Sequence, residues 1–149
     1  MYIINTSLLS SVFILIVGSS LVAFTAVLTH DATLGPLQTL EYDKVITNIG
    51  NAYDSRHGHF TAPVKGIYIL SATVCDNGAV ITTEMVKNGV QLVAMYGNDD
   101  DSASHTIMVS LEQNDMVWIR HFDGGTSTAN AGYDTYYSSF SGALITALQ

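Results

Sequence analysis

Gly66-Ile67-Tyr68-Ile69-Leu70-Ser71-Ala72-Thr73-Val74-Cys75 is the stretch on which the fold turns. In an extended chain Tyr68, Leu70, Ala72 and Val74 fall on one face, and Ser71, Thr73 and Cys75 on the other. That period of two is what a half-buried strand requires. Asp76-Asn77-Gly78 follows as a turn. Downstream, the β-rich runs 80–86 and 90–96 flank Lys87-Asn88-Gly89. Asn-Gly between such runs is the strongest short-range hairpin signal, because a two-residue turn of the right twist needs positive φ at both central positions. The run 102–111 leads through 112–115 to another at 116–122, and 137–148 reads as a long terminal strand. Upstream, 22–28 is apolar and β-prone, 31–39 with Gly35-Pro36 reads as a loop, and 42–49 as a weak strand closed by Gly50-Asn51. No segment sustains a helical period. Roughly eight to ten short strands at this spacing predict an all-β sandwich or jelly roll.

The chain has 149 residues, 48% of them apolar and 12% charged. That is one domain with enough apolar surface for a core, and too hydrophobic for disorder. Five Lys and Arg against 13 Asp and Glu give a net charge of −8. No basic stripe is available to neutralise phosphates, which argues against nucleic-acid binding and against adhesion to anionic membranes. The carboxylates suit Ca²⁺ or a cationic partner instead. Cys75 is the only cysteine, so no intrachain disulfide forms. A buried, inert thiol is expected, with a disulfide between subunits as the other reading.

No formally charged side chain precedes Asp31. Leu8-Leu9 and Val12-Phe13-Ile14-Leu15-Ile16-Val17, followed by Gly18-Ser19-Ser20, form an apolar core ending in small residues. Residues 1–20 therefore read as a secretory signal peptide cleaved after Ser19 or Ser20, although the first seven residues carry no Lys or Arg. A signal anchor over 8–28 and an integral strand or helix of the fold are the competing readings. Against the anchor stand the Ser, Thr and Gly interruptions and the lack of a flanking basic cluster. Asn5-Thr6-Ser7 is a formal glycosylation acceptor inside this segment, and no other sequon occurs.

The body, residues 21–149, carries a spaced set of aromatics around an Asn and a Gly: Tyr42, Asn48, Tyr53, Phe60, Gly66 and Tyr68. Asn114-Asp115-Met116-Val117-Trp118, Tyr137-Ser138-Ser139-Phe140-Ser141-Gly142 and the opening Val22-Ala23-Phe24 follow the same pattern. In these motifs and their order the chain resembles the C1q globular head family. Tyr42 stands where the family usually has Phe, and Leu70 and Ala72 stand where it has aromatics, so the core near Ala72 needs compensation. The resemblance implies a ten-stranded jelly roll that assembles as a homotrimer. With strand one starting almost at the cleavage site, it also implies a free-standing head without a collagen stalk, whose avidity comes from the trimer alone.

Candidate sites follow. Residues 123–136 read as a long loop of small polar residues ending in Tyr133, Asp134 and Tyr136. Adaptable polar residues beside rigid Tyr anchors have the composition of a ligand-binding loop, against a plain connector as the alternative. In Asn98-Asp99-Asp100-Asp101-Ser102, Asp99 and Asp101 are candidate Ca²⁺ ligands. The resemblance adds that some family members bind Ca²⁺ through an Asp at the position of Asp101; a solvated turn is the alternative. His57 and His59 share a face if extended, but Arg56 is adjacent and no third ligand is evident. Trp118 and Phe140 read as core or interface. No nucleophile elbow, Cys–His arrangement or phosphate loop is present, so no enzyme is expected. The expected function is a secreted pattern-recognition or lectin-like protein of innate immunity that binds carbohydrate or microbial surface ligands. Its mature chain would carry no membrane span. The alternatives are an extracellular signalling ligand for a protein receptor and an acidic matrix or mineral-associated protein.

Overall fold

The computed structural model describes residues 20–99 and 101–149. The signal-peptide reading of 1–20 therefore lies almost wholly outside the described residues. The described chain folds into twelve strands: β1 Ala23–Val27, β2 Ala32–Leu34, β3 Lys44–Ile49, β4 Tyr53–Asp54, β5 His59–Thr61, β6 Gly66–Asp76, β7 Ile81–Lys87, β8 Val90–Gly97, β9 Ser102–Leu111, β10 Met116–His121, β11 Ser127–Asn130 and β12 Ser139–Ala147. They form two sheets, as a jelly-roll sandwich requires. The smaller runs β4-β5-β10-β7-β8; the larger runs β2-β11-β6-β12-β1-β3, with β9 also on β6.

The deciding stretch behaves as its pattern dictates. β6 alternates buried and half-buried residues along its whole length. It carries β9 along one edge; the other edge takes β12 up to Thr73 and β11 at Cys75 and Asp76. The Asn88-Gly89 hairpin is present too, with Lys87 opposite Val90 and positive φ at both central residues (51° and 84°). Two expectations are corrected. The stretches 31–39 and 123–136 are not plain loops: β2 and β11 lie within them and pair with each other, Ser127 to Leu34, Thr128 to Thr33 and Ala129 to Ala32. These short strands, with β4 and β5, add to the eight runs located in the sequence and bring the number among the described residues to twelve, against the ten that the resemblance implies. The β2–β11 pair buries Leu34 and Ala129, which explains why such polar segments order at all.

The spaced motif residues build the core. Phe24 stacks on Tyr53 (centroids 5.1 Å) and on Phe60 (4.9 Å), and meets Phe140 edge-on at 4.9 Å. Offset stacked and edge-on pairs are the favoured aromatic geometries. Asn48 binds the 52–53 turn with both ends of its amide: Oδ1 accepts from Ala52 N–H (3.0 Å) and Tyr53 N–H (3.1 Å), and Nδ2–H donates to the Tyr53 carbonyl (2.9 Å). The Tyr hydroxyls are also used: Tyr53 donates to the Tyr42 carbonyl (2.9 Å) and Tyr42 to that of Thr73 (3.2 Å). Burial raises the pKa of both phenols. The small Ala72 is compensated by Phe140, its direct cross-strand neighbour, against which Tyr42 packs at 6.0 Å.

The outer face of the larger sheet is ordered in rows. Thr47, Thr25, Ser141, Ser71 and Thr106 align across five strands, with Ser71 and Thr106 hydroxyls 2.8 Å apart. The adjacent row is apolar: Ile49, Ala23, Ala143, Ile69 and Met108. Neither row holds a charge, in a chain of net charge −8.

Candidate functional site

Three segments meet at one end of the sandwich: Thr29-His30-Asp31 after β1, Asn77 after β6, and Asn130 to Asp134 from the last residue of β11 onward. They enclose an opening of about 450 Å³. Asp31 ties them together. Its Oδ1 accepts the Ala131 N–H (2.9 Å), and its Oδ2 lies 3.5 Å from Asn77 Nδ2. Asn130 Oδ1 accepts the Gly132 N–H (2.7 Å). Buried Ser138 donates its hydroxyl to the Asn130 carbonyl (2.8 Å) and accepts the Cys75 N–H (3.0 Å), so the β6 edge anchors the arch. The Tyr137 N–H closes it onto the Ala131 carbonyl (3.0 Å). Gly132 has φ 69°, and a Cβ there would lie 2.3 Å from Thr135 Oγ1 and 2.8 Å from the Tyr137 ring, so only glycine fits. At the foot of the site, Asp43 accepts from both the amide and the hydroxyl of Thr29. Burial alone would raise the Asp43 pKa, but the Thr29 hydrogen bonds outweigh it and leave it lowered.

The structure separates the three residues expected of this loop. Asp134 lines the opening and Tyr133 stands at its rim, fully exposed. Tyr136 does not line it; its hydroxyl lies 2.6 Å from Lys44 Nζ. Thr29, His30, Asp31 and Asn77 were not anticipated, because segments up to 100 residues apart supply them. The one hint in the sequence is that Asp31 is the first charged side chain of the chain. Chemically, the lining offers carboxylate acceptors from Asp31 and Asp134, amides from Asn77 and Asn130, and a stacking ring from Tyr133. That inventory suits a ligand rich in hydroxyls. No Lys or Arg lines it, which disfavours phosphates and carboxylated sugars.

Asp99 and Asp101 sit on the exposed β8–β9 turn, Asp99 with φ 55°. The Asp101 N–H donates to the Asn98 carbonyl (3.1 Å), and its own carbonyl accepts the Asp76 N–H (3.2 Å). Among the described residues no three His, Cys, Asp or Glu side chains come together as a metal cluster. Ca²⁺ takes six to eight oxygens, so two carboxylates would leave most of its shell to water and carbonyls, a weak site.

His57 and His59 are not two residues of one strand. His57 lies in the β4–β5 turn, bonded to Asp54 (2.9 Å), while His59 begins β5, with ring centroids 6.4 Å apart. Arg56 and then His57 hold the Asp54 carboxyl well below the usual carboxylate range. His59 packs on Trp118 at 4.7 Å, and burial, then His57, lowers its pKa. Trp118 is thus half-buried on the outer face of the smaller sheet, whereas Phe140 is fully buried in the core. Cys75 is partly exposed.

Among the described residues no helix is long and apolar enough to cross a membrane. The fold is similar to that of the globular domain of zebrafish complement 1qA protein, at TM-score 0.70 and 16% identity over 86% of this chain and 99% of that one. It is equally similar to an Eiger TNF from S. frugiperda (TM-score 0.70, 11% identity, 87% and 96% covered). Murine APRIL matches at TM-score 0.62 and 13% identity, with 84% and 99% covered. At these identities the structural likeness establishes the fold. The C1q domain pattern itself matches residues 23–145, nearly the whole described chain, and on that match this protein belongs to the C1q domain family.

Proposed function

We propose that this chain is a secreted, non-enzymatic recognition protein that works as a homotrimer and binds carbohydrate, such as that displayed on microbial surfaces, in the pocket between His30, Asn77 and Tyr133. One observation carries the reading: an opening of about 450 Å³ that combines carboxylate acceptors, amides and a fully exposed Tyr ring, held by hydrogen bonds from three segments. Small-ligand sites are concave and carry a few convergent polar groups, and loops on a rigid sandwich are where binding concentrates. The homotrimer is supported by the uncharged hydroxyl and apolar rows on the larger sheet, where Met108 and Ile49 stand exposed. Exposed contiguous apolar surface marks an interaction site. Calcium at Asp99 and Asp101 belongs to the reading as a weak, water-completed site. The test is an array of neutral, amino and acidic glycans probed with the purified protein and with Tyr133→Ala. Binding confined to neutral or amino sugars and lost in the variant supports the reading; no binding to any glycan removes it.

The second reading is an extracellular signalling ligand for a protein receptor. It is favoured by exposed Tyr96, Phe122 and Val80 at one end of the smaller sheet. Thr82 faces Tyr96 across the ladder there, and the Phe122 N–H reaches the Thr82 carbonyl at 3.4 Å. Two of the solved structures with this fold are named as an Eiger TNF and as APRIL. A cell-surface receptor screen in which Tyr96→Ser abolishes binding while Tyr133→Ala does not would favour it.

A further inference from the structure

The five Lys and Arg side chains are not used alike. Arg56 pairs with Asp54, Lys65 with Glu112, Lys87 with Asp115 and Arg120 with Glu84. Lys44 is instead given to a tyrosine: its Nζ lies 2.6 Å from Tyr136 Oη and 4.5 Å from the ring centroid. The two residues are 92 positions apart, so this contact ties β3 to the arch that carries the pocket rim.

That arch needs tying. Within five residues it places Gly132 (φ 69°), Asp134 (φ 53°) and Tyr136 (φ 55°) in the left-handed region. Asp134 and Tyr136 have a Cβ, so they hold this conformation only where the surroundings impose it. The hydrogen bonds from Asp31, Asn130 and Ser138 all act at residues 130–132. Beyond Gly132, Tyr137 N–H and the Lys44–Tyr136 contact supply the restraint. The Tyr136 hydrogen bond, and to a lesser extent the charge of Asp134, raise the lysine's pKa.

We propose that Lys44 and Tyr136 form a latch that holds the arch in its binding shape, making Tyr136 a positioning residue for the pocket rather than one of its contacts. This rests on the pocket reading above, and the experiment separates the two. Lys44→Met and Tyr136→Phe each remove one partner and keep the side chain's bulk. Hydrogen exchange of the Gly132 and Tyr137 amides should quicken about tenfold in either variant, the effect of losing one hydrogen bond to a charged group. The double variant should be no faster than the singles, β6 amides should not change, and Lys44→Arg should restore the slow rate. Additive effects, or unchanged exchange, overturn the latch.

Binding of mannose- and N-acetylglucosamine-terminated oligosaccharides should weaken about tenfold in the same two variants, because an unlatched arch must be ordered on binding. Tyr133→Ala should lose binding with exchange at its wild-type rate. Faster exchange with undiminished binding overturns the positioning role. Wild-type protein that binds no glycan refutes the pocket reading, and the exchange data then decide the latch by themselves.

Discussion

Gly142→Ala is the substitution whose cost follows most directly from the structure. Gly142 lies on β12 between Phe24 of β1 and Leu70 of β6, facing the core. An added Cβ would sit 2.5 Å from Leu70 Cδ2, 2.8 Å from Phe24 Cε1 and 3.0 Å from the Ile69 carbonyl. Phe24 cannot give way, because Tyr53, Phe60 and Phe140 hold its ring at about 5 Å. Leu70 must change rotamer, or the strand must shift. Overpacking of this kind costs about 1–3 kcal/mol, against about 0.4–1 kcal/mol gained from a less flexible unfolded chain. With the ring locked, the upper half of the range applies, a net loss of about 2 kcal/mol. For a chain of this size that lowers Tm by about 4–8 °C. Calorimetry of wild type, Gly142→Ala and Gly124→Ala measures it; Gly124 has nothing within 4 Å and serves as the neutral control. Leu70→Ala with Gly142→Ala should be less destabilised than the sum of the singles, since removing Leu70 Cδ2 makes room for the methyl. A Gly142→Ala protein melting with wild type, or strict additivity in the pair, would refute the packing argument.

Acid should loosen the β4–β5 hairpin. The folded His59 pKa lies below its ordinary 6.5, so the unfolded chain binds the proton more readily, and stability is full above about pH 6.5 and declines as pH falls through the folded value. Trp118 is the only tryptophan, so its fluorescence should follow the titration of His59 packed beside it, and His59→Phe should abolish the change. Millimolar Ca²⁺ should raise Tm in wild type and leave Asp101→Ala unmoved; no rise in wild type removes Asp99 and Asp101 as ligands. Met108→Glu places a carboxylate at the exposed end of the apolar row. Sedimentation velocity should show a trimer for wild type and monomer for the variant, while an assembly unchanged by the substitution would move the interface off this sheet.

What the sequence discloses of this fold depends on periodicity. β6 could be read because Tyr68, Leu70, Ala72 and Val74 recur at a period of two against Ser71, Thr73 and Cys75, and the β7–β8 hairpin because Asn88-Gly89 is needed for positive φ. β2 and β11 could not. Ala32-Thr33-Leu34 and Ser127-Thr128-Ala129-Asn130 are too short to carry an apolar rhythm, and only their mutual pairing makes them strands. The same limit governs the site. Tyr133 and Asp134 were accessible through loop composition, but His30, Asp31 and Asn77 join them only because the jelly roll returns three distant segments to one end. Tyr136 shares that composition, yet a contact 92 residues away turns it from the pocket. Local sequence cannot distinguish the two tyrosines.

The central claim is that the opening bounded by Asp31, Asn77 and Tyr133 is where this C1q-domain protein recognises its ligand. Its most direct test is titration calorimetry of the glycan that wild type captures best on the array, repeated with Asn77→Ala. Asn77 is exposed and makes only a 3.5 Å contact to Asp31, so Tm should stay within about a degree, as for surface substitutions. Affinity should fall at least tenfold at unchanged Tm. Wild-type affinity in Asn77→Ala would contradict it.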